Sequence, residues 1–213
     1  MIQLTEHQLA NLLIDYHLEH LVQQYQKEEK KYHNLQHITY CINQLCKHYE
    51  KHDDMYHHAS HNDTFFAQLI ALIFHDVAYN VHQPQNHEQR SLEYFRETLQ
   101  HYPNEQLVDR LTALKDDIES LILSTKHGED DEKTIVSDID MLILADSQEN
   151  YDQYAAAVRQ ENAPHYDNYD ELRLAFLQNI QARAENNDIY KHYPHAHQSV
   201  VENTQREIDH LLS

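Results

Sequence analysis

Glycine, proline and tryptophan are scarce in this sequence. Its 213 residues include one glycine, four prolines and no tryptophan. Domains rich in β-sheet usually need glycine and proline at many short turns. The scarcity of both residues therefore predicts an all-α fold.

Basic residues are also few. Sixteen lysines and arginines stand against 36 aspartates and glutamates, which gives a formal net charge of −20 at pH 7. A charge of this sign repels the phosphate backbone of nucleic acids and the anionic surface of membranes. We therefore expect neither a nucleic-acid polymer nor a membrane as a partner.

Cysteines and long apolar runs are equally rare. Cys41 and Cys46 lie five residues apart on a predicted helix, a spacing that suits neither a disulfide nor a C-x-x-C metal or redox pair. The opening residues MIQLTEHQLA lack the order of a secretion signal, and no apolar run approaches the roughly 18 residues of a membrane span. We expect a cytoplasmic protein.

Apolar residues recur at helical spacing along most of the chain. Thr5 and Gln8 form a predicted capping box before the first helix. One long apolar stripe consists of Leu107, Leu111, Leu114, Ile118 and Leu121. We predict a single helical domain over residues 1–213 with about eight or nine helices, in which C-terminal helices from 147–213 pack on a core near 30–146.

Histidine, in contrast, is abundant. The chain has 20 histidines, and three H-x-x-x-H pairs occur, at His33/His37, His48/His52 and His57/His61. In a chain so rich in histidine, chance alone produces such pairs. The surroundings of each histidine must therefore decide which of them carries chemistry.

The dipeptide His-Asp occurs twice, in very different surroundings. His52-Asp53 lies in the polar run KHDDMYHH, whereas His75-Asp76 ends the apolar run LIALIF and precedes VAY. Burying an imidazole and a carboxylate together is costly unless they pair with each other or bind a metal. The second dyad is therefore the candidate metal site, and a purely structural pair is the alternative.

Two further segments supply groups of the same kind. His37 borders the apolar stripe of its helix, while His33 lies further round it. Downstream, VSDIDMLIL places Asp138 and Asp140 among apolar residues. A mixed set of imidazoles and carboxylates suits one six-coordinate divalent ion better than a structural zinc, and Mn, Mg, Fe, Co and Ni are not distinguished.

The segments YHNLQHI, FHDVAY, ILSTKH and SDIDMLILA follow one another in this order. Together they resemble the H…HD…D signature of the HD superfamily of metal-dependent phosphohydrolases. Downstream, NYDQYAAAVRQEN and the E-x-R-S of Glu88, Arg90 and Ser91 are similar to a compact bacterial branch of predicted HD phosphohydrolases. The resemblance covers roughly residues 30–190, and it implies an HD-type helical bundle.

The resemblance implies four metal ligands, His37, His75, Asp76 and Asp140. Asp140 is preferred over Asp138 because the last aspartate of the superfamily signature is usually followed, two residues on, by leucine, as in D-M-L. Asp76 would both bind the metal and position the attacking water.

The resemblance also suggests proton donors. Y-H-N-x-x-H is similar to a segment of cyclic-nucleotide phosphodiesterases in which the first histidine protonates the leaving group, a role that would fall to His33. The alternative is a surface histidine that happens to precede a helix. His127, in STKH, is a second catalytic candidate that could bind phosphate, hold a water or approach a second metal.

Two cations are candidates for binding the substrate phosphate, Lys126 and Arg159. HD enzymes with two metals usually have two further histidines between the HD dyad and the last aspartate, but here only His127 is convincingly placed, because His82, His87 and His101 stand in polar, turn-like sequence. The resemblance therefore implies one metal ion rather than two. The expected substrate is a phosphate ester of a nucleotide or another small metabolite, cleaved by a metal-activated water. A di-iron oxygenase of the same fold and a non-catalytic module that binds a nucleotide or metal are the alternatives.

Overall fold

The computed structural model describes residues 3–50, 62–83, 85–126 and 134–213. These ranges contain eleven α-helices and no β-strand, so the all-α prediction is confirmed. In chain order the helices are α1 (Glu6–Asp15), α2 (Glu19–Tyr25), α3 (Leu35–Glu50), α4 (Asp63–Phe74), α5 (His87–His101), α6 (Glu105–Ala113), α7 (Lys115–Leu123), α8 (Ile135–Asp140), α9 (Gln148–Asn162), α10 (Tyr169–Glu185) and α11 (Ala196–Leu211). Short 3-10 turns follow three of them, at Ser124–Lys126, Met141–Ala145 and Ala163–His165.

The first helix begins where the sequence predicts. The Thr5 side chain accepts a hydrogen bond from the backbone N–H of Gln8, and the Gln8 side chain accepts one from the backbone N–H of Thr5. Two N–H groups that the helix leaves without a partner are thereby satisfied. The predicted capping box is present.

The expected eight or nine helices are too few for the described residues. The stripe from Leu107 to Leu121 predicts one helix, but the structure divides it at Leu114 into α6 and α7. A break of a single residue hardly changes the three-and-four spacing of the apolar positions. Periodicity therefore finds the buried face and does not reveal the break.

Helix α4 lies at the centre of the fold. Its apolar sequence DTFFAQLIALIF has seven buried residues, and α3, α5, α7 and α8 all pack against it. A helix that is apolar nearly all round is expected to be enclosed in this way. Because α4 ends at Phe74, His75 and Asp76 emerge directly from the core.

The C-terminal helices pack on the element that carries Asp140. Helices α10 and α11 pack against each other, and α11 also contacts the 3-10 turn Met141–Ala145. One cluster of buried apolar side chains extends from Leu9 to Val200. Within the described ranges, no helix combines the length and the apolar character needed to cross a bilayer.

Candidate metal centre

Four side chains from three parts of the chain converge on one point. His37 lies on α3, His75 and Asp76 follow α4, and Asp140 ends α8. One nitrogen or oxygen atom from each of them lies within 4.8 Å of the others. From His37 Nε2, the distances are 3.3 Å to His75 Nε2, 3.4 Å to Asp76 Oδ2 and 3.0 Å to Asp140 Oδ1. From His75 Nε2, they are 3.1 Å to Asp76 Oδ2 and 3.2 Å to Asp140 Oδ1.

The backbone that carries the His-Asp dyad is held by two side chains from before α3. Tyr25 donates its hydroxyl hydrogen bond to the carbonyl of Ile73 at 2.7 Å. Lys30 Nζ donates to the carbonyls of Asp76 and Val77 at 2.8 and 3.1 Å. The Asp76 carbonyl also accepts the backbone N–H of Tyr79 at 3.1 Å, so side-chain and backbone contacts together fix the turn that follows α4. Burial lowers the pKa of Lys30 to about 8, and the sequence analysis missed this residue.

The ring of His75 is oriented by its own helix. Its Nδ1 lies 3.0 Å from the carbonyl oxygen of Leu72. A carbonyl can only accept, so Nδ1 carries a proton, and when the ring is neutral Nε2 offers its lone pair to an ion. Metal-binding histidines typically have this arrangement, in which one nitrogen is fixed by a hydrogen bond and the other faces the ion.

The other histidine is buried against two neighbours. The His37 ring centroid lies 4.7 Å from that of Tyr32, and Cys41 Sγ lies 3.8 Å from both ring nitrogens. Asn34 accepts the backbone N–H of Gln36 at 2.9 Å and so fixes the start of α3. As the sequence pattern indicates, His37 points inward, with only 4% of its surface exposed.

The two aspartates of VSDIDMLIL point in different directions. Asp140 faces the two histidines, whereas Asp138 Oδ2 accepts hydrogen bonds from the backbone N–H and Nδ1 of His192 at 2.8 and 2.9 Å. Positions two apart on a helix lie about 200° apart around its axis. Both carboxylates are therefore drawn into the protein, but only Asp140 belongs to the metal-binding group.

The carboxylates and imidazoles of the four side chains shift one another's pKa. Burial alone would lower the pKa of His75, but the carboxylates of Asp76 and Asp140 outweigh it and hold this pKa well above the ordinary value. Burial likewise opposes ionisation of Asp76, yet the nearby His75 and His33 keep its pKa well below the ordinary value. Asp76 therefore stays ionised, and the two carboxylates favour positive charge on the neighbouring rings or on a bound ion.

The spacing fits one small divalent cation. Nitrogen and oxygen donors lie about 2.0–2.2 Å from such an ion, so two donors at right angles are about 3 Å apart and two at a tetrahedral angle about 3.4 Å apart. The measured separations of 3.0–3.4 Å fall in this range. Two protonated rings 3.3 Å apart would instead repel each other. The group of four could therefore hold a metal ion.

Solvent reaches the group through its carboxylates. The side chains of Asp76 and Asp140 are 12% and 15% exposed, whereas those of His37 and His75 are at most 2% exposed. A site that is closed on its nitrogen side and open on its oxygen side leaves room for water or substrate oxygens.

His33 has a partner that the sequence analysis missed. Its Nδ1 contacts Oε1 of Glu161, a side chain on α9 that is almost fully buried. The other oxygen, Oε2, accepts the backbone N–H groups of Tyr32 and His33 at 2.9 and 3.2 Å. Burial would raise the pKa of Glu161, but His33 and these hydrogen bonds lower it. Glu161 continues the spacing of Tyr154 and Val158, which was the available signal.

An aromatic side chain links His33 to a second histidine. The rings of His33 and Tyr79 are stacked 3.6 Å apart, and the Tyr79 and His87 ring centroids are 5.0 Å apart. The sequence analysis assigned His87 to a polar, turn-like segment, but it begins α5, and its buried Nδ1 has no hydrogen-bond partner in the described part of the chain. Asp76 is close enough to influence the charge on His87.

The remaining predicted residues are not part of this group. Arg159 pairs with Asp170, with Nη1 and Oδ1 2.5 Å apart, and lines a separate cavity with Tyr169. Lys126 is exposed at the end of the 3-10 turn that follows α7. The prediction for His127 lies outside the described residues.

A cavity of about 200 Å³ adjoins His37, between the start of α3 and helix α9. Three tyrosines and four side-chain amides contribute to its lining, namely Tyr32, Tyr40, Tyr154, Asn34, Gln36, Asn150 and Gln153. Aromatic faces with a few polar groups are typical of sites for small organic molecules.

Comparison of this chain with protein-family models, with curated proteins and with solved structures gave no match. The resemblance to the HD superfamily therefore rests on the sequence motifs, and the activity that it implies stays a prediction. The arrangement of the four side chains is independent of that resemblance.

Proposed function

We propose that this protein is a metal-dependent phosphohydrolase that cleaves a phosphate ester of a nucleotide or another small metabolite. The observation that carries the proposal is the convergence of His37, His75, Asp76 and Asp140 within 4.8 Å, with both carboxylates accessible to solvent. This donor set and its open side suit a hydrolytic metal centre of the type that the sequence motifs imply.

In this proposal the four side chains hold one divalent ion, which when bound lowers the pKa of a water and polarises the phosphoryl oxygen. Asp76 also accepts a hydrogen bond from the attacking water. Its low pKa keeps it an acceptor at neutral pH. Tyr25 and Lys30 fix the position of the His75-Asp76 dyad by donating hydrogen bonds to the carbonyls of Ile73, Asp76 and Val77.

His33 is the proton donor in this mechanism. Glu161 engages Nδ1, so Nε2 is the nitrogen that can deliver a proton to the leaving oxygen. The buried carboxylate stabilises the protonated ring and fixes its orientation, and the Tyr79 ring supports it from one face. Imidazole suits this step because it exchanges protons near neutral pH.

The cavity beside His37 seats the organic part of the substrate. Its volume of about 200 Å³ limits that part to a small group. The net charge of −20 disfavours long polyanions, and the bound ion sets the local field for a single phosphate. We do not include Arg159 in this site, because Asp170 engages its guanidinium and the two line another cavity.

The test is a screen of purified protein with Mn²⁺, Mg²⁺, Co²⁺, Fe²⁺ or Ni²⁺ against nucleotides and generic phosphate esters. We expect turnover with at least one ion, and its loss in Asp76→Asn. A matched control is Asp152→Asn, which changes an exposed carboxylate paired with Arg206. Turnover that survives in Asp76→Asn would contradict the mechanism.

The same preparation separates the two alternatives. Two irons per chain with a visible chromophore and oxygen consumption would replace the hydrolase by a di-iron oxygenase. Tight binding of a metal or nucleotide without turnover under any ion would instead indicate a regulatory module.

A further inference from the structure

The C-terminal segment forms hydrogen bonds on both sides of Asp140, to a side chain before it and to a backbone carbonyl after it. Two residues before it, the buried Asp138 accepts two hydrogen bonds from His192. One residue after it, the carbonyl of Met141 accepts a hydrogen bond from the Tyr190 hydroxyl at 2.8 Å. Both donors come from the connection between α10 and α11.

Helix α11 contacts the end of the 3-10 turn Met141–Ala145, which follows Asp140. Asn203 Nδ2 donates to the carbonyls of Leu144 and Asp146 at 3.0 and 2.9 Å. Asn203 is buried, and so is Tyr190, which has no exposed surface. We call Tyr190, His192 and Asn203 the C-terminal brace.

The brace is itself fixed in position. His197 on α11 contacts the carbonyl of Ile189 through Nε2 at 2.7 Å, so the connection is tied to the helix that follows it. Tyr190 has a φ of 54°, a left-handed conformation that is unfavourable for a bulky residue. Such a conformation persists only where the surroundings determine it, and it often marks a functional element.

Asp140 needs support of this kind. Helix α8 has only six residues, Ile135–Asp140, and passes directly into the 3-10 turn Met141–Ala145. A helix this short is not stable by itself. The direction in which Asp140 points therefore depends on contacts made by its neighbours in the sequence.

We propose that the C-terminal brace is a positioning device that aims the Asp140 carboxylate at His37 and His75. The proposal rests on the metal centre of the proposed function. None of the three residues belongs to the group of four, so they act through the backbone and not as ligands. The C-terminal helices would thereby control the affinity and geometry of a site formed by the preceding part of the chain.

The experiment measures metal affinity in Tyr190→Phe, His192→Ala and the double variant. Each change removes a side-chain donor and leaves the four candidate ligands intact. The matched control is Tyr49→Phe, which removes a buried hydroxyl that donates to Gln68 Oε1 at 2.8 Å on the α3 and α4 side of the fold. Thermal unfolding of all variants reports the general loss of stability.

We expect the Kd for Mn²⁺ to rise about tenfold in each single variant, the lower end of the effect found for residues that support metal ligands. The absorption bands of bound Co²⁺ should change as well, because they report coordination geometry. Tyr49→Phe should lower the unfolding temperature about as much as Tyr190→Phe does, but it should leave the Kd for Mn²⁺ and the Co²⁺ absorption bands unchanged. If the double variant does not fold, the Kd for Mn²⁺ of Tyr190→Phe, which conserves the ring, tests the proposal.

Unchanged Mn²⁺ affinity and Co²⁺ spectra in both single variants would refute the proposal that the C-terminal brace positions Asp140. That result leaves the proposed hydrolase untouched, since the wild-type protein would still turn over substrate. Conversely, a wild-type protein that binds Mn²⁺ but hydrolyses nothing would refute the hydrolase, whereas weaker binding in the variants would still support the brace.

Discussion

Replacing Glu161 by glutamine should affect phosphate esters differently according to their leaving group. The substitution removes the negative charge that engages His33 Nδ1 and retains an oxygen for the backbone N–H groups of Tyr32 and His33. The folded structure should therefore persist, while the protonated form of His33 loses its stabilising partner.

The size of the effect follows from the lost hydrogen bond. A hydrogen bond to a charged group contributes about 1.5–3 kcal/mol, and about 1.4 kcal/mol corresponds to a tenfold change in rate. We expect kcat to fall about 10- to 100-fold for an alkyl phosphate ester, whose leaving oxygen needs a proton. The fall should be much smaller for p-nitrophenyl phosphate, because p-nitrophenolate departs without protonation.

The assay compares kcat for the two esters in the wild-type protein, Glu161→Gln and the control Glu202→Gln. Glu202 is exposed and accepts a hydrogen bond only from Gln198 within the described residues. An equal loss with both esters would refute the assignment of His33 and Glu161 as the proton-donating pair.

Three further outcomes follow from the contacts. Asp140→Asn should weaken Mn²⁺ binding at least tenfold in calorimetry, since an amide lacks the charge of the carboxylate ligand, and unaltered affinity would exclude Asp140 as a ligand. The neighbouring carboxylates raise the pKa of His75 despite its burial, so protons compete with the metal for this ring. The affinity for Mn²⁺ should therefore rise with pH, and binding should release protons. An affinity independent of pH would contradict this competition. Burial raises the pKa of Glu207, but Arg173 outweighs burial and leaves this pKa below the ordinary value. The ion pair therefore stabilises the fold at pH values above the ordinary glutamate pKa, and this stability is lost as the pH falls through the lowered pKa. Glu207→Ala should accordingly lower the free energy of unfolding in urea by about 3 kcal/mol at pH 7, because it leaves the buried Arg173 charge without its carboxylate partner. The loss should shrink as the pH falls through the lowered pKa, and a loss independent of pH would argue against the ion pair.

Much of the fold follows from local patterns in the sequence. The capping box at Thr5 is present as predicted, and the apolar run that precedes His75 is a helix enclosed by other helices. These features depend on neighbours within a few residues, so a single sequence contains them. The division of the long stripe at Leu114 depends on packing and leaves the apolar spacing unchanged, and it was missed.

The candidate metal centre was predicted from polar residues in apolar surroundings together with the resemblance to the HD superfamily, which gave the choice of Asp140 over Asp138. His37, His75 and Asp140 are polar groups in apolar surroundings, and the structure brings them together with Asp76. The contacts around the centre were not predictable in this way. Glu161 contacts His33 across 128 residues of sequence and His192 contacts Asp138 across 54, and no local spacing relates either residue to its partner.

The direct test of the central claim is a crystal structure of the protein soaked with Mn²⁺ at a pH above neutrality, with anomalous scattering data collected at the manganese edge. The account predicts one anomalous peak bound by Nε2 of His37, Nε2 of His75 and carboxylate oxygens of Asp76 and Asp140. Manganese bound elsewhere with these four side chains still paired to one another, or no peak at saturating concentration, would contradict it.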